Sequence, residues 1–137
     1  MAPEVVTRKL SYLRRLLGEL QSFSGASLED VLARNRELER IFELLVTAGA
    51  DLLQHLLSER DITASSYREV YARAGEVGLI PATLSARLEK AAQMRNVIVH
   101  LYEDIDYERL RGAIDPALSD FATIIAALEA QLPASNE

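Results

Sequence analysis

The chain has 137 residues, with 49% hydrophobic and 26% charged side chains, which suits one modest globular core and excludes a disordered tract. It contains no cysteine, so disulfides, thiolate metal sites and cysteine nucleophiles are excluded together. The net charge of −6 argues against a protein that coats nucleic acid, but leaves room for an enzyme that touches it through a local patch. The only imidazoles are His55 and His100, and neither sits in an H-E-x-x-H pattern, so a histidine-based zinc site has little support. The N-terminal stretch lacks the apolar core of a signal peptide, and no run of about 18 apolar residues suggests a membrane span. A cytoplasmic protein with no membrane attachment is the resulting expectation.

Helical periodicity runs from end to end, with no internal repeat and no long linker, so a single all-α domain over 1–137 is expected. The first helix begins at Pro3, where a missing N–H is tolerated, and runs to about Phe23 with Leu10, Leu13, Leu17 and Leu20 as its apolar stripe. Ser27 and Asp30 resemble a capping box for a second helix reaching about Leu57. Its stripe is Leu38, Ile41, Leu45, Ala48, Leu52 and Leu56, and its charged start allows a break near Arg34–Arg36. Ser65 or Ser66 caps a third, short helix that buries Tyr67, Val70, Tyr71 and Ala74 and closes at Gly75 and Gly78.

Pro81 opens a fourth helix, with Leu84, Leu88, Ala91 and Ala92, that continues to about Tyr102. A fifth starts after Asp104 or Asp106, with Leu110, Leu118, Phe121, Ile124, Ile125 and Leu128, and Asp115-Pro116 should kink or break it. The expected architecture is a compact bundle of four to five helices with short connections.

Residues 94–102, Met-Arg-Asn-Val-Ile-Val-His-Leu-Tyr, place Arg95, Asn96, His100 and Tyr102 in an otherwise apolar helix. Burying such groups without partners costs several kcal/mol, roughly 2–7 for an uncharged one, so helix stability does not ask for them. At about 100° per residue, Asn96 and His100 share one face and Arg95 and Tyr102 another. Arg95 and His100 point about 140° apart, and can still converge if the helix ends or tightens near His100 or if a second protomer supplies its own motif.

Chemically, a histidine can move protons near neutrality while an arginine forks onto phosphate oxygens. With an RNA 2′-hydroxyl as built-in nucleophile, the two can cleave a phosphodiester without metal. Ordinary structural readings stand beside this one. Arg95 can cap carbonyls or pair with Glu103 or Asp104, His100 can be a satisfied core or surface side chain, and Asn96 can bond backbone groups. Tyr102 can be a core or interface aromatic. His55, inside Leu-Leu-Gln-His-Leu-Leu, reads as structural. Arg34, Arg36 and Arg40, alternating with Glu37 and Glu39, read as a solvated, salt-bridged face. Arg8, Lys9, Arg14 and Arg15 form the best local basic patch, which an ordinary surface helix explains equally well.

Arg95 to Tyr102 spell R-N-x3-H-x-Y. This resembles the signature of HEPN-domain proteins, and the tyrosine resembles their HepT branch. The likeness covers most of 28–128, through Ser66-Tyr67-Arg68-Glu69-Val70, the Gly78–Pro81 step, Leu88 and the acidic hinge after Tyr102, but only the nine-residue motif is specific. The resemblance implies a HEPN-like homodimer whose paired motifs form a metal-independent endoribonuclease cleft. Arg95 and His100 would be catalytic, with Asn96 supporting. It implies the toxin half of a type II toxin–antitoxin pair, partnered by an MNT-type nucleotidyltransferase antitoxin that adds AMP to Tyr102. ATP and magnesium would belong to that antitoxin, and the toxin itself would carry no cofactor or metal. A bulky anionic adduct two residues from His100 would repel a phosphate backbone.

The main alternative is a non-catalytic HEPN subunit that binds nucleotide or partner beside a nucleotidyltransferase; a purely structural helical dimer is a third. Glu103, Asp104, Asp106 and Glu108 crowd the exit of the motif and should repel RNA unless basic residues offset them. An acidic rim suits instead a basic antitoxin or its magnesium–ATP. Replacing Glu103 and Asp104 by serine should then slow antitoxin-dependent modification of Tyr102, followed by mass spectrometry; an unchanged rate would dispose of the idea.

Overall fold

A computed structural model describes residues 3–100 and 105–132, with side chains for 4–99 and 105–132. These residues form seven helices: α1 (Pro3–Gln21), α2 (Leu28–Ala33), α3 (Asn35–Ser58), α4 (Tyr67–Glu76), α5 (Ala82–His100), α6 (Tyr107–Gly112) and α7 (Ile114–Glu129). The five expected helices are all present, and two are divided. The second breaks at Arg34, whose backbone (φ −124°, ψ 33°) ends α2 and starts α3. The last breaks at Ala113, so Pro116 falls in the first turn of α7, where its missing N–H has no helical partner to lose. The break therefore precedes the proline.

Local chemistry sets the ends. Ser27 and Asp30 form the reciprocal capping box of α2, the Ser27 Oγ accepting from the Asp30 N–H (3.1 Å) and Asp30 accepting from the Ser27 N–H (3.3 Å). Ser66 caps α4 by accepting from the Glu69 N–H, and Glu69 in turn accepts from the Ser65 N–H and Oγ, both at 2.7 Å. Those bonds hold the Glu69 carboxyl below its ordinary pKa. At the other end of α4, Gly78 takes φ +79° while Leu79 N–H reaches Ala74 O (2.9 Å) and Gly78 N–H reaches Gly75 O (3.3 Å), the Schellman arrangement. Pro81 precedes α5 and accepts its first bond, from Ser85 N–H.

At the centre lies α3, against which α1, α4, α5 and α7 pack, while α4 and α5 form a close antiparallel pair. By length and composition α3 is apolar enough to cross a membrane, yet more than half of the qualifying window is buried within the fold, as befits a core helix. The core runs through Leu10, Leu13, Leu20 and Phe23, Leu38, Leu45 and Leu53, and Phe121 and Ile124. On α1 the buried stripe uses Leu16 in place of the expected Leu17, which is only partly buried. Tyr67, expected inside, is 37% exposed, because it is the first residue of α4 and lines a surface groove.

Two glycines mark where helices meet most closely. A Cβ on Gly49 would stand 2.6 Å from the Tyr71 hydroxyl, and one on Gly75 would stand 2.4 Å from the Ser85 Cβ. Tyr71 is fully buried and donates to Val46 O (2.6 Å), and Ser85 donates to Tyr71 O (2.7 Å), so α3, α4 and α5 are tied through one tyrosine. Burial pushes the Tyr71 phenol pKa far up. Gly49→Ala should destabilise by about 1–3 kcal/mol through overpacking. Gly18→Ala, in α1 with open space around it, should stabilise by about 0.5–1 kcal/mol. Urea denaturation of both variants checks the contrast.

Candidate functional site

On α5, Leu84, Leu88, Ala92 and Ile98 are buried, and Arg95 follows Ala92 by three positions and precedes Ile98 by three. The arginine therefore occupies a slot on the inward stripe where an apolar residue would ordinarily sit. Its side chain is only 18% exposed. It lies where α5 meets α3 and the start of α4: a guanidinium nitrogen is 3.8 Å from Glu43 Oε2, and Cζ is 4.9 Å from the centre of the Tyr67 ring. Nη1 donates to the Asn96 Oδ1 at 3.2 Å. Nε is shielded from solvent and, among the described residues, has no acceptor. The sequence had offered Glu103 or Asp104 as partners; among the described residues the partner is Glu43, which also accepts from Arg40 (3.1 Å).

Asn96 and Val97 face outward, and Val97 is 42% exposed. The backbone of α5 is helical through His100, so positions 95 and 100 remain about 140° apart around one axis. The side chain of His100 and the whole of Tyr102, Glu103 and Asp104 lie outside the described residues. Beyond them, Asp106 caps α6 by accepting from Arg109 N–H (3.1 Å), and Glu108 pairs with Arg111 (3.0 Å). Two of the four acidic residues of the rim thus have structural partners.

Three further participants were not legible in the sequence. Glu39 accepts from the Tyr107 hydroxyl at 2.5 Å, and that hydroxyl accepts from Asn35 Nδ2 at 3.0 Å. Burial, with the bond to Glu39, raises the Tyr107 pKa. Glu39 and Glu43 lie four residues apart on one face of α3. One holds the helix before the motif histidine, the other the residue that opens α6 after it. The expected solvated face is accordingly mixed: Arg34 pairs with Glu37 (2.9 Å) and stacks 4.0 Å from the Phe23 ring, but Glu39 turns to another element, as does Glu43 one turn further on. His55 lies three turns from Glu43, about 18 Å along α3, with Nε2 4.0 Å from Glu59, and so is remote from Arg95. Among the described residues no three His, Asp or Glu side chains gather as a metal site would require.

An α-helical bundle carrying a half-buried arginine five residues before a histidine on one helix defines the HEPN class. The sequence matches the HepT-like family, described as ribonuclease HepT-like, over residues 10–128, and the chain belongs to that family. It is 27% identical over 135 residues to the tRNA nuclease HepT of Aphanizomenon flos-aquae, covering 95% of this chain and 91% of that protein. It is 22% identical to the mRNA nuclease HepT of Shewanella oneidensis, covering 93% and 98% respectively. Its fold is similar to that of the tri-AMPylated Shewanella oneidensis HEPN toxin solved in complex with an MNT antitoxin, with a TM-score of 0.82 and 19% identity over 92% of this chain and 97% of that one.

Coulomb attraction of a unit pair near 4 Å is about 4 kcal/mol at an effective dielectric of 20, and desolvation of each ion costs a comparable amount. The Arg95–Glu43 pair therefore fixes position more than it adds stability. Arg95→Met, which leaves Glu43 its bond to Arg40, should leave stability unchanged or raise it by about 1–2 kcal/mol. A thermal melt reads this; a loss above about 3 kcal/mol would make Arg95 a structural residue.

Proposed function

We propose that this chain is the toxin of a type II toxin–antitoxin pair and acts as a metal-independent endoribonuclease through Arg95 and His100. The observation that carries the reading is Arg95 itself. A charged side chain occupies an inward slot of α5, its Nε without an acceptor among the described residues, five residues before His100 on an unbroken helix of a HepT-like chain. A sequence selected for stability alone would put leucine there. HepT relatives bearing the names of tRNA and mRNA nucleases support an RNA substrate.

In this mechanism His100 removes the proton of the ribose 2′-hydroxyl as the oxygen attacks the adjacent phosphorus. Arg95 stabilises the charge that gathers on the non-bridging oxygens, and the 5′-oxygen leaves with a proton from solvent or a second histidine. Asn96 holds one edge of the guanidinium, leaving other N–H groups for phosphate. Because positions 95 and 100 diverge by about 140°, the working site combines Arg95 of one protomer with His100 of a second in a homodimer. The chain needs no cofactor or metal of its own and works in the cytoplasm without membrane attachment.

The cognate partner is an MNT-type nucleotidyltransferase antitoxin, as in the similar toxin–antitoxin complex. It neutralises the toxin by AMPylating Tyr102, with ATP and magnesium held by the antitoxin. One observation favours a second reading, a non-catalytic subunit that binds nucleotide or partner: the Arg95 guanidinium is already engaged by Glu43 and Tyr67.

Cleavage of RNA in EDTA separates the two, comparing wild type with Arg95→Ala and His100→Ala, each checked by mass spectrometry for adducts on Tyr102. Unmodified wild type should cleave, and each variant should lose at least a hundredfold in rate, the usual contribution of a general base or an oxyanion donor. Intact RNA with folded, unmodified wild type would favour the binding subunit.

A further inference from the structure

The outer face of α1 and the neighbouring face of α3 leave a groove of about 1140 Å³ between them. From α1 it is lined by Arg8, Tyr12 and Arg15 among others; from α3 by Thr47, Asp51 and Gln54; and from α4 by Tyr67. Tyr67 is also the residue whose ring faces the Arg95 guanidinium at 4.9 Å. The groove and the arginine of the motif thus meet at one aromatic side chain. Helical spacing of α1 from Glu4 to Arg15 gives the groove a length of about 16 Å, enough for four or five nucleotides at about 3.4 Å of stacked rise.

The charges in the groove differ in sign from the chain as a whole. Its carboxylates are Glu4 and Asp51, and Asp51 is paired with Lys9. Among the described residues neither Arg8 nor Arg15 has a carboxylate partner, and Arg15 instead stacks 5.1 Å from the Tyr12 ring. Two free guanidinium groups therefore face one remaining carboxylate, in a protein whose net charge is −6. Tyr12 and Tyr67 add aromatic rings along the same groove. Free arginines interleaved with partly exposed rings make the surface that single strands use, with phosphates held by charge and bases stacked on π-faces. Helix α1 carries the basic cluster noted in the sequence, and the fold divides it: Arg14 pairs with Glu129 on α7, Lys9 with Asp51, and Arg8 and Arg15 line the groove.

We propose that the α1–α3 groove is a binding track for single-stranded RNA, delivering the strand across Tyr67 to Arg95. Arg8 and Arg15 contact phosphates, and Tyr12 and Tyr67 stack bases. The track extends the ribonuclease reading and rests on it for its direction, but binding can be measured without cleavage. A fully 2′-O-methylated single strand of roughly a dozen nucleotides lacks the nucleophile and reports binding alone by fluorescence anisotropy. Arg8→Gln/Arg15→Gln should weaken it by about tenfold at low salt and reduce the salt slope by about two phosphates' worth. Tyr12→Ala should weaken binding at least fivefold with the salt slope unchanged.

With cleavable RNA, the arginine pair should raise KM for a long strand by a larger factor than for a dinucleotide substrate. Unchanged affinity and slope in folded variants would overturn the track. So would full RNA binding combined with loss of the dimer, or of the antitoxin complex, on size-exclusion chromatography, because the groove would then hold protein. Failure of wild type to cleave any RNA, with variant-sensitive binding intact, would remove the ribonuclease reading and leave the RNA track standing.

Discussion

A guanidinium held at the rim of a hydrocarbon core is the constraint on which the candidate site depends. Arg95 can sit on the inward stripe of α5 only because α3 supplies Glu43 and α4 supplies the Tyr67 ring at that place. Neither contact repays desolvation by a wide margin. Their effect is to limit the arginine to one region of space. One turn earlier on α3, Glu39 fixes Tyr107, beyond the motif, by a 2.5 Å hydrogen bond. The central helix therefore holds the chain on both sides of the stretch that carries His100 and Tyr102, which suits a site whose chemistry needs fixed relative positions.

The remainder of the bundle keeps α3 where these contacts need it. Gly49 lets the Tyr71 hydroxyl approach α3, and Gly75 lets Ser85 approach α4, so α3, α4 and α5 sit closer than bulkier residues would permit. On α7, Asp120 is nearly buried and accepts from Arg87 Nε at 2.9 Å, which ties α5 to the last helix. Polar bonds thus register α5 against its neighbours on several sides. Apolar burial alone would allow the helix to slide or rotate by a fraction of a turn.

Charge is distributed with the same economy. Many of the acidic residues are engaged in caps or pairs, as Asp30, Glu37, Glu69 and Asp106 are. The negative total therefore says little about any one face. A locally positive groove on an acidic protein raises the share of encounters that begin in the right place, and it does so beside the arginine that the motif supplies.

Helix order, caps and the identity of the motif were written in the sequence, because each depends on neighbours three or four residues away. Ser27 with Asp30, Ser66 with Glu69 and Gly78 after α4 act within one turn, and R-N-x3-H-x-Y is a local pattern. Even the breaks near Arg34 and before Pro116 were visible as local conflicts, to within a few residues. The partners of that pattern were not, since Glu43 lies 52 positions before Arg95 and Glu39 lies 68 before Tyr107. Glu39 read along the chain as an ordinary member of a solvated charged face, and nothing local singled out Glu43. Tyr67 was placed inside by its spacing, and only packing put it on the wall of a groove. Which glutamate meets which helix, and which arginines of α1 stay free, depends on how the helices cross. For α3, α4 and α5 the close contacts at Gly49 and Gly75 help to set the crossing, an effect no local pattern records, because a missing Cβ acts only on a neighbour brought near by the fold.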